Sequence, residues 1–355
     1  MATSRPSFEA VVGLGLGVYV VRALTWISIC SLAACGNKVD DASSTDTGTG
    51  SSNAPDAPQD ETQCDTTVQA TEPEDNTPDH YYRDPIRFIL SEPDPTAVVV
   101  TDVSGTTSRD ADDRTIIFTP DEPLEPSTDY EFGLDYCYGD PEIEFSTSSL
   151  GTDIDPDVVL EGKVYSLDLT SGEYTLGERM GDLLNVVFTR RLLFSLEQID
   201  GDSVDVLAAV ANGSTLSSEQ DLCSRTVSVD GLDLRESPYF TAEVLDKSFG
   251  SYQGELRFAR FAVSGTIASD ASTIGGLAFE ATMAVNEMSE AIDSLGTTDD
   301  ICEYAANLGV PCQDCPDDGF EPCISVAAEH IVAVAVDLDL VEVTEAGAAE
   351  GCDRR

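Results

Sequence analysis

The sequence predicts a mainly β protein with two β-rich regions in series. The second is an α+β domain built as a curled antiparallel sheet or barrel, with a helical hairpin set into it. Three observations lead there. Apolar residues recur at every second position in short segments separated by Gly, Pro, Asp and Ser, which is the signature of half-buried strands. Helical spacing is confined to two neighbouring segments near residue 300. Beyond residue 60 the cysteines number eight, Cys64, Cys137, Cys223, Cys302, Cys312, Cys315, Cys323 and Cys352, an even set that reads as disulfides in an exported chain.

The first β-rich region, residues 64–150, is all strand. Ile86, Phe88 and Leu90 share one parity, as do Ile117 and Thr119, then Tyr130, Phe132 and Leu134, then Ile143 and Phe145. Residues 151–355 are long enough for a second sizeable core. Tyr165, Leu167 and Leu169 alternate with other residues there, and so do Val204, Val206, Ala208 and Val210. Further strands are expected over residues 186–196, 239–245, 256–267, 277–285 and 331–343. The apolar parity shifts between Phe258 and Phe261, which predicts a bulge near Ala259. Met288, Ala291, Ile292 and Leu295 recur at helical spacing and stop at Gly296. Asp299 or Asp300 is positioned to cap a second helix that ends at Asn307-Leu308-Gly309.

Within residues 64–150 five blocks occur in order: Pro85-Ile86-Arg87-Phe88, Ser91-Glu92-Pro93, Ile117-Phe118-Thr119-Pro120, Pro123-Leu124-Glu125-Pro126-Ser127-Thr128-Asp129-Tyr130 and Glu144-Phe145-Ser146-Thr147. In order and spacing this region resembles the bacterial Ig-like domain of SbsA type. The resemblance implies an N-terminal Ig-like β-sandwich of two aligned sheets. It makes Cys64, on a first strand, and Cys137, on a late one, natural partners. Domains of that family serve as spacers, stalks or interaction modules, so no catalysis is implied.

At the other end of the chain, residues 23–34 form an apolar core of signal-peptide length flanked by Arg22, and Leu32-Ala33-Ala34-Cys35-Gly36 follows. This junction resembles the lipobox of bacterial lipoproteins. The resemblance implies that residues 1–34 are removed and that Cys35 is acylated, for example with palmitate, as the one contact with the bilayer. A single uncleaved span over residues 10–34 would hold Arg22 well inside the membrane at about 2.5–3.5 kcal/mol. Glu9 and the apolar stretch 11–21 fit a leader poorly and place the expected start near Val18 or Val20. Gly36, rather than Asp, implies sorting to the outer membrane, with the protein facing the periplasm or the cell surface. From residue 36 to 63 almost no large apolar residue occurs. An acidic disordered linker of this length spans roughly 30 Å.

Composition excludes several partners. Lys and Arg total 18 against 67 Asp and Glu, a net charge of -49. Such a polyanion repels nucleic acid and anionic headgroups alike. Lys38, Lys163 and Lys247 are the only lysines, a balance typical of proteins from saline habitats. Salt is therefore expected to stabilise the fold by screening self-repulsion.

Candidate chemistry is sparse. Cys302, Cys312, Cys315 and Cys323 contain one CxxC, whereas structural zinc sites usually show two close pairs. Pro316 and Asp317-Asp318-Gly319 follow that CxxC, a loop rather than the helix start of a redox site. Disulfides stapling the hairpin to the loop before the last strand are expected, which leaves Cys223 and Cys352 to tie down the C-terminus. Eight cysteines admit too many pairings for sequence to choose among them. Asp153, Asp155 and Asp157 alternate at the junction of the two domains, where carboxylates converge on calcium in some loops. Val158 and Val164 occupy the positions at which an EF-hand needs Gly and Glu, so calcium there ranks below a solvated linker. Of the two histidines, His80 and His330, the second is placed at the start of the last strand as a packed or rim residue. Asp337 and Asp339 read as the solvated face of that strand. No nucleophile elbow, zinc helix or P-loop occurs. The expectation is a non-enzymatic envelope lipoprotein acting as a structural or binding module for a protein or glycan. The alternative is a carrier of a lipid or other apolar ligand inside the C-terminal β domain.

Overall fold

Two four-stranded sheets carry the first β-rich region in a computed structural model that describes residues 64–175, 190–213, 219–251, 254–291, 296–316 and 322–353. The leader, Cys35 and the linker lie outside the described residues, while residues 62–355 form one compact unit. One sheet has the order β1 (Val68–Glu72), β3 (Ile86–Leu90), β6 (Thr115–Pro120), β5 (Gly105–Arg109). The other has the order β2 (Thr77–His80), β8 (Glu142–Thr147), β7 (Asp129–Asp135), β4 (Val98–Val100), in which β2 runs parallel to β8. Alternation on β3 buries Ile86, Phe88 and Leu90 as expected. On β6 the expected parity is reversed, because Ile116 and Phe118 are buried and Thr119 is exposed. The run Thr115 to Thr119 is β-branched or aromatic throughout, so pattern alone left the register open. Phe118, Phe132 and Phe145 meet in the core with ring centroids 5.4 and 5.7 Å apart. Cys64 and Cys137 are bonded to each other, just before β1 and just after β7 rather than on strands. Buried Asp94 accepts from the Cys137 amide at 2.9 Å and from the Thr96 amide at 2.8 Å. Burial pulls its pKa upward, yet these donors hold it below the usual carboxylate range.

The second region closes into an antiparallel barrel of eight strands. Around the ring they are β9 (Val164–Leu167), β11 (Leu192–Asp200), β12 (Ser203–Val210), β13 (Val227–Asp233), β14 (Tyr239–Ser251), β15 (Gly254–Ile267), β16 (Thr273–Ala284) and β18 (Pro322–Val336), which returns to β9. Two short strands, β10 (Glu173–Tyr174) and β17 (Gln313–Asp314), add to β18 outside the ring. The bulge expected near Ala259 is present, as a register shift between Phe258 and Arg260. It lets Phe258 and Phe261 both face inward. β11 begins at Leu192; the earlier part of its expected range, 186–189, lies outside the described residues.

Among the described residues three α-helices occur, two of them between β16 and β17 and one after β18: α1 (Val285–Ala291), α2 (Thr298–Asn307) and α3 (Glu345–Asp353). Met288 of α1 with Ile301 and Ala305 of α2 joins the barrel core at the end where β15 begins and β16 finishes. The cap of α2 corrects the expectation. Thr297 is the N-cap, and Asp300 closes a capping box from the third helical position. A hydroxyl beside the first helical amides outcompetes an Asp already inside the turn.

The last strand is also displaced, to residues 322–336, and His330 sits in its interior with φ 56° rather than at its start. Asp337 and Asp339 belong to no strand. Their segment runs extended over the barrel wall, where Leu338 and Leu340 cover Leu193, Ala209 and Ala211. At Val341 its backbone bonds go to a side chain, since the Gln220 amide donates to Val341 O at 2.7 Å and accepts from Val341 N at 2.9 Å, and at Val343 the carbonyl accepts from the Thr226 amide at 3.0 Å. Alternation had therefore marked an extended cover and not a ladder.

Candidate functional site

Inside the barrel, inward side chains from β9 and from β11 to β16 enclose a cavity of about 110 Å³, and every lining residue is Leu, Val, Ala or Phe. One side of it is incompletely covered. Leu192, Phe194, Val229, Ala242, Phe261 and Val263 point inward yet are only half-buried. The wall explains this. Between β13 and β14 the described residues contain a single registered pair, Asp233 with Thr241, whereas β14 and β15 pair along their whole length. Below Asp233 no further residue pair is registered between the two strands among the described residues. Arg225 donates to Ser248 O at 3.3 Å. Lys247 stands opposite Phe258 in the β14 and β15 ladder, and directly opposed residues share a face. Two residues before Leu192, Arg190 binds the buried Asp221 carboxylate at 2.6 Å. A larger hollow, about 530 Å³, lies on the outside of the wall, where Arg260 bridges Glu243 and Glu280.

The opposite end of the barrel is sealed by the two-sheet lobe. Tyr81 OH lies 2.7 Å from Thr266 Oγ1, and Tyr82 OH lies 3.3 Å from the same atom. Gly276, at φ +55°, leaves room for the Tyr81 ring, and Gly275 leaves room for Leu150; a Cβ at either position would overlap them. Glycine within a strand marks such a close approach. Arg83 donates to Glu236 at 2.7 Å and stacks over Tyr239 with its carbon 3.6 Å from the ring centroid. His330 of the barrel bonds Asp84 of the lobe at 2.8 Å, and Glu173 lies 3.4 Å from its other nitrogen. The Asp84 hydrogen bond, aided by Glu173, pushes the His330 pKa up to about 9 against the lowering effect of burial. Burial lowers that of His80. It also raises Tyr165 to about 12, and the Tyr165 hydroxyl donates to Ala271 O at 3.2 Å.

The sequence-derived candidates fare unevenly. Cys223 is bonded to Cys352, Cys302 to Cys312 and Cys315 to Cys323. The last two bridges staple α2 and β18 to the loop between them, as expected. Asp153, Asp155 and Asp157 do not converge into a metal-holding group. All three are exposed, Asp155 Oδ1 accepts from the Asp157 amide at 2.9 Å, and no metal-holding group of His, Cys, Asp or Glu occurs among the described residues. Of the three carboxylates, that of Asp155 is spent on the turn itself. Sequence reasoning missed the seam and the thinly paired wall. The Gly275-Gly276 doublet in a strand and the Tyr81-Tyr82 pair were the available signals for the seam. No protein-family model matches the chain, and no curated protein matches it. Among the described residues no helix is long and apolar enough to cross a membrane.

Proposed function

We propose that the chain is a non-enzymatic envelope lipoprotein, acylated at Cys35, in which an Ig-like lobe of SbsA type holds the barrel rigidly as a binding domain at the outer membrane. The observation that carries this reading is the seam. A lobe locked to one barrel end by Tyr81, Arg83, Asp84 and Leu150 acts as a stand rather than a hinged neighbour. The Ig-like assignment is supported by strand order. β1-β3-β6-β5 facing β2-β8-β7-β4 follows the ABED and GFC arrangement, with the first strand divided between the sheets. Tyr130, near the start of β7, accepts from the Glu125 amide at 2.8 Å, in the manner of a tyrosine corner. Lipobox, linker and bilayer contact rest on the sequence alone.

A second reading, a carrier of a lipid or other apolar ligand, is favoured by the all-apolar cavity. At about 110 Å³ it is smaller than the roughly 300–1,000 Å³ of pockets that enclose whole ligands, so it accommodates part of one. Intact-mass analysis of the membrane-extracted protein tests the first reading. A mature chain beginning at an acylated Cys35, lost in Cys35→Ser, is expected; an unmodified Cys35 behind a retained leader would overturn it.

A further inference from the structure

We infer that the barrel cavity is a binding site for a neutral monocyclic aromatic molecule, held whole among phenylalanine rings without a charged or hydrogen-bonding anchor. The inference rests on the carrier reading, which it narrows from apolar ligands in general to a single ring without a headgroup. It does not depend on acylation of Cys35.

Three observations carry it, and the first is the chemistry of the lining. Every residue around the cavity is Leu, Val, Ala or Phe, and the wall strands engage one another's backbone in the ladders of β11 with β12 and of β15 with β14 and β16. A carboxylate, ammonium or amide taken inside would give up water for no partner. Size is the second. The cavity measures about 110 Å³, and an apolar void of comparable size, about 150 Å³, stays dry and takes up benzene or xenon. One ring is thus accommodated complete. Pockets that enclose larger ligands run to roughly 300–1,000 Å³, so a long acyl chain or a fused polycycle would have to protrude through the wall. A guest held whole makes no such demand on the strands.

The third observation is aromatic. Phe194, Phe240, Phe258, Phe261 and Phe279 all line the cavity. Phe258 meets Phe261 edge-on with centroids 5.6 Å apart, Phe261 stacks on Phe279 at 5.9 Å, and Phe194 stacks on Tyr165 at 5.4 Å. Aromatic pairs at such spacings gain more than the burial of their area. A planar guest therefore extends an array already in place, whereas an aliphatic molecule of equal volume gains burial alone. Phe194 and Phe261 are only half-buried, which leaves ring surface for the guest to cover.

The test is a methyl NMR titration of the full-length chain in lipid nanodiscs, with Leu and Val methyls isotopically labelled and free aqueous ligand concentrations measured. Benzene should shift the methyls of Leu192, Val229 and Val263 saturably and leave those of Leu90 and Leu134 in the lobe unmoved. It should bind at least fivefold more tightly than cyclohexane and at least tenfold more tightly than benzoate, and naphthalene should give no saturable shift. Ala242→Phe, which places a ring of the protein's own in the void, should abolish the benzene shifts. Ala208→Leu, a smaller filling from the neighbouring wall, should weaken them at least fivefold, and the ranking of ligands on the unaltered chain decides the matter even where a filled variant does not fold. No saturable shift with benzene, or cyclohexane, benzoate or naphthalene bound as tightly, would overturn the inference. Dodecane shifting the same methyls where benzene does not would overturn it and leave the carrier reading standing, whereas silence from every ligand would remove both.

Discussion

The two-sheet lobe and the barrel are built from the same alternation of apolar and polar residues, yet one is filled and the other is hollow. In the lobe, Phe118, Phe132, Phe145 and Tyr130 stack across the narrow space between two sheets, with successive centroids 5.4 to 6.0 Å apart. Two open sheets are free to approach until their side chains interdigitate. A closed ring of eight strands has its diameter set by strand number and stagger. Its interior must be filled by side chains, helices or a guest. Here α1 and α2 fill the part nearest β15, β16 and β18, and the space beside β11 to β14 remains. A spare volume is therefore a property of the closed architecture.

This contrast is open to attack at several points, beginning with the covalent staples. The long bridges Cys64–Cys137 and Cys223–Cys352 close 73 and 129 residues, whereas Cys315–Cys323 closes 8. Loop-closure entropy assigns about 4–5 kcal/mol to each long bridge and about 2.5 kcal/mol to the short one. Denaturant unfolding of the paired Cys→Ala variants should reproduce that order, and equal losses would show that the short staple does more than constrain the unfolded chain. Next comes a direct comparison of interiors. Phe132→Ala in the filled lobe should cost about 3–5 kcal/mol. Phe261→Ala, which removes a half-buried ring beside an existing void, should cost about 1–2 kcal/mol. Equal costs in urea titrations would mean that the barrel is as tightly filled as the lobe.

The seam supplies a smaller effect. Gly276→Ala forces a side chain to φ +55° against the Tyr81 ring, and a loss of about 2–3 kcal/mol is expected. Adding Tyr81→Ala should recover part of it, because the clash and not the backbone alone is then relieved. Simple additivity in the double-mutant cycle would deny the contact.

Smallest is the pH response, in which two histidines oppose one another. His330 has a pKa raised from 6.5 to about 9. Its stabilisation is therefore complete below pH 6.5 and is lost as pH climbs through 9. That of His80 is lowered, so its contribution holds above 6.5 and fades as pH falls below its native value. With 38% of the His330 side chain exposed, screening leaves under about 1 kcal/mol. His330→Gln should flatten the melting temperature between pH 6.5 and 9 while leaving the acid limb intact; an unchanged alkaline limb would refute a stabilising bond between His330 and Asp84.

Much of this architecture was legible in the residues. Ile86, Phe88 and Leu90 announce β3 because one face is buried and the other is not, and the shifted parity around Ala259 announces its bulge. Where both faces are covered the signal fails. β12 buries Val204 and Val206 inward and Ala209 outward under the C-terminal segment, so its pattern reflects two environments at once. β13, interrupted by Gly231 at φ +80°, carries too short an alternation to be read. The cysteine cluster was legible as disulfides from its even count and the loop after its CxxC, while its pairing, Cys302 with Cys312 and Cys315 with Cys323, came only from the structure. The seam and the thinly paired wall were not, since Tyr81 meets Thr266 across 185 residues and the pairing of a strand edge leaves no mark on composition.

Xenon uptake tests the hollow barrel most directly, because the gas enters apolar voids without any need of charge or shape. Crystals of the protein held under xenon pressure should show an occupied site between Phe194, Ala242 and Phe261 and none within the lobe core. An empty barrel under those conditions, or xenon lodged among Phe118, Phe132 and Phe145 instead, would contradict the contrast on which the functional reading is built.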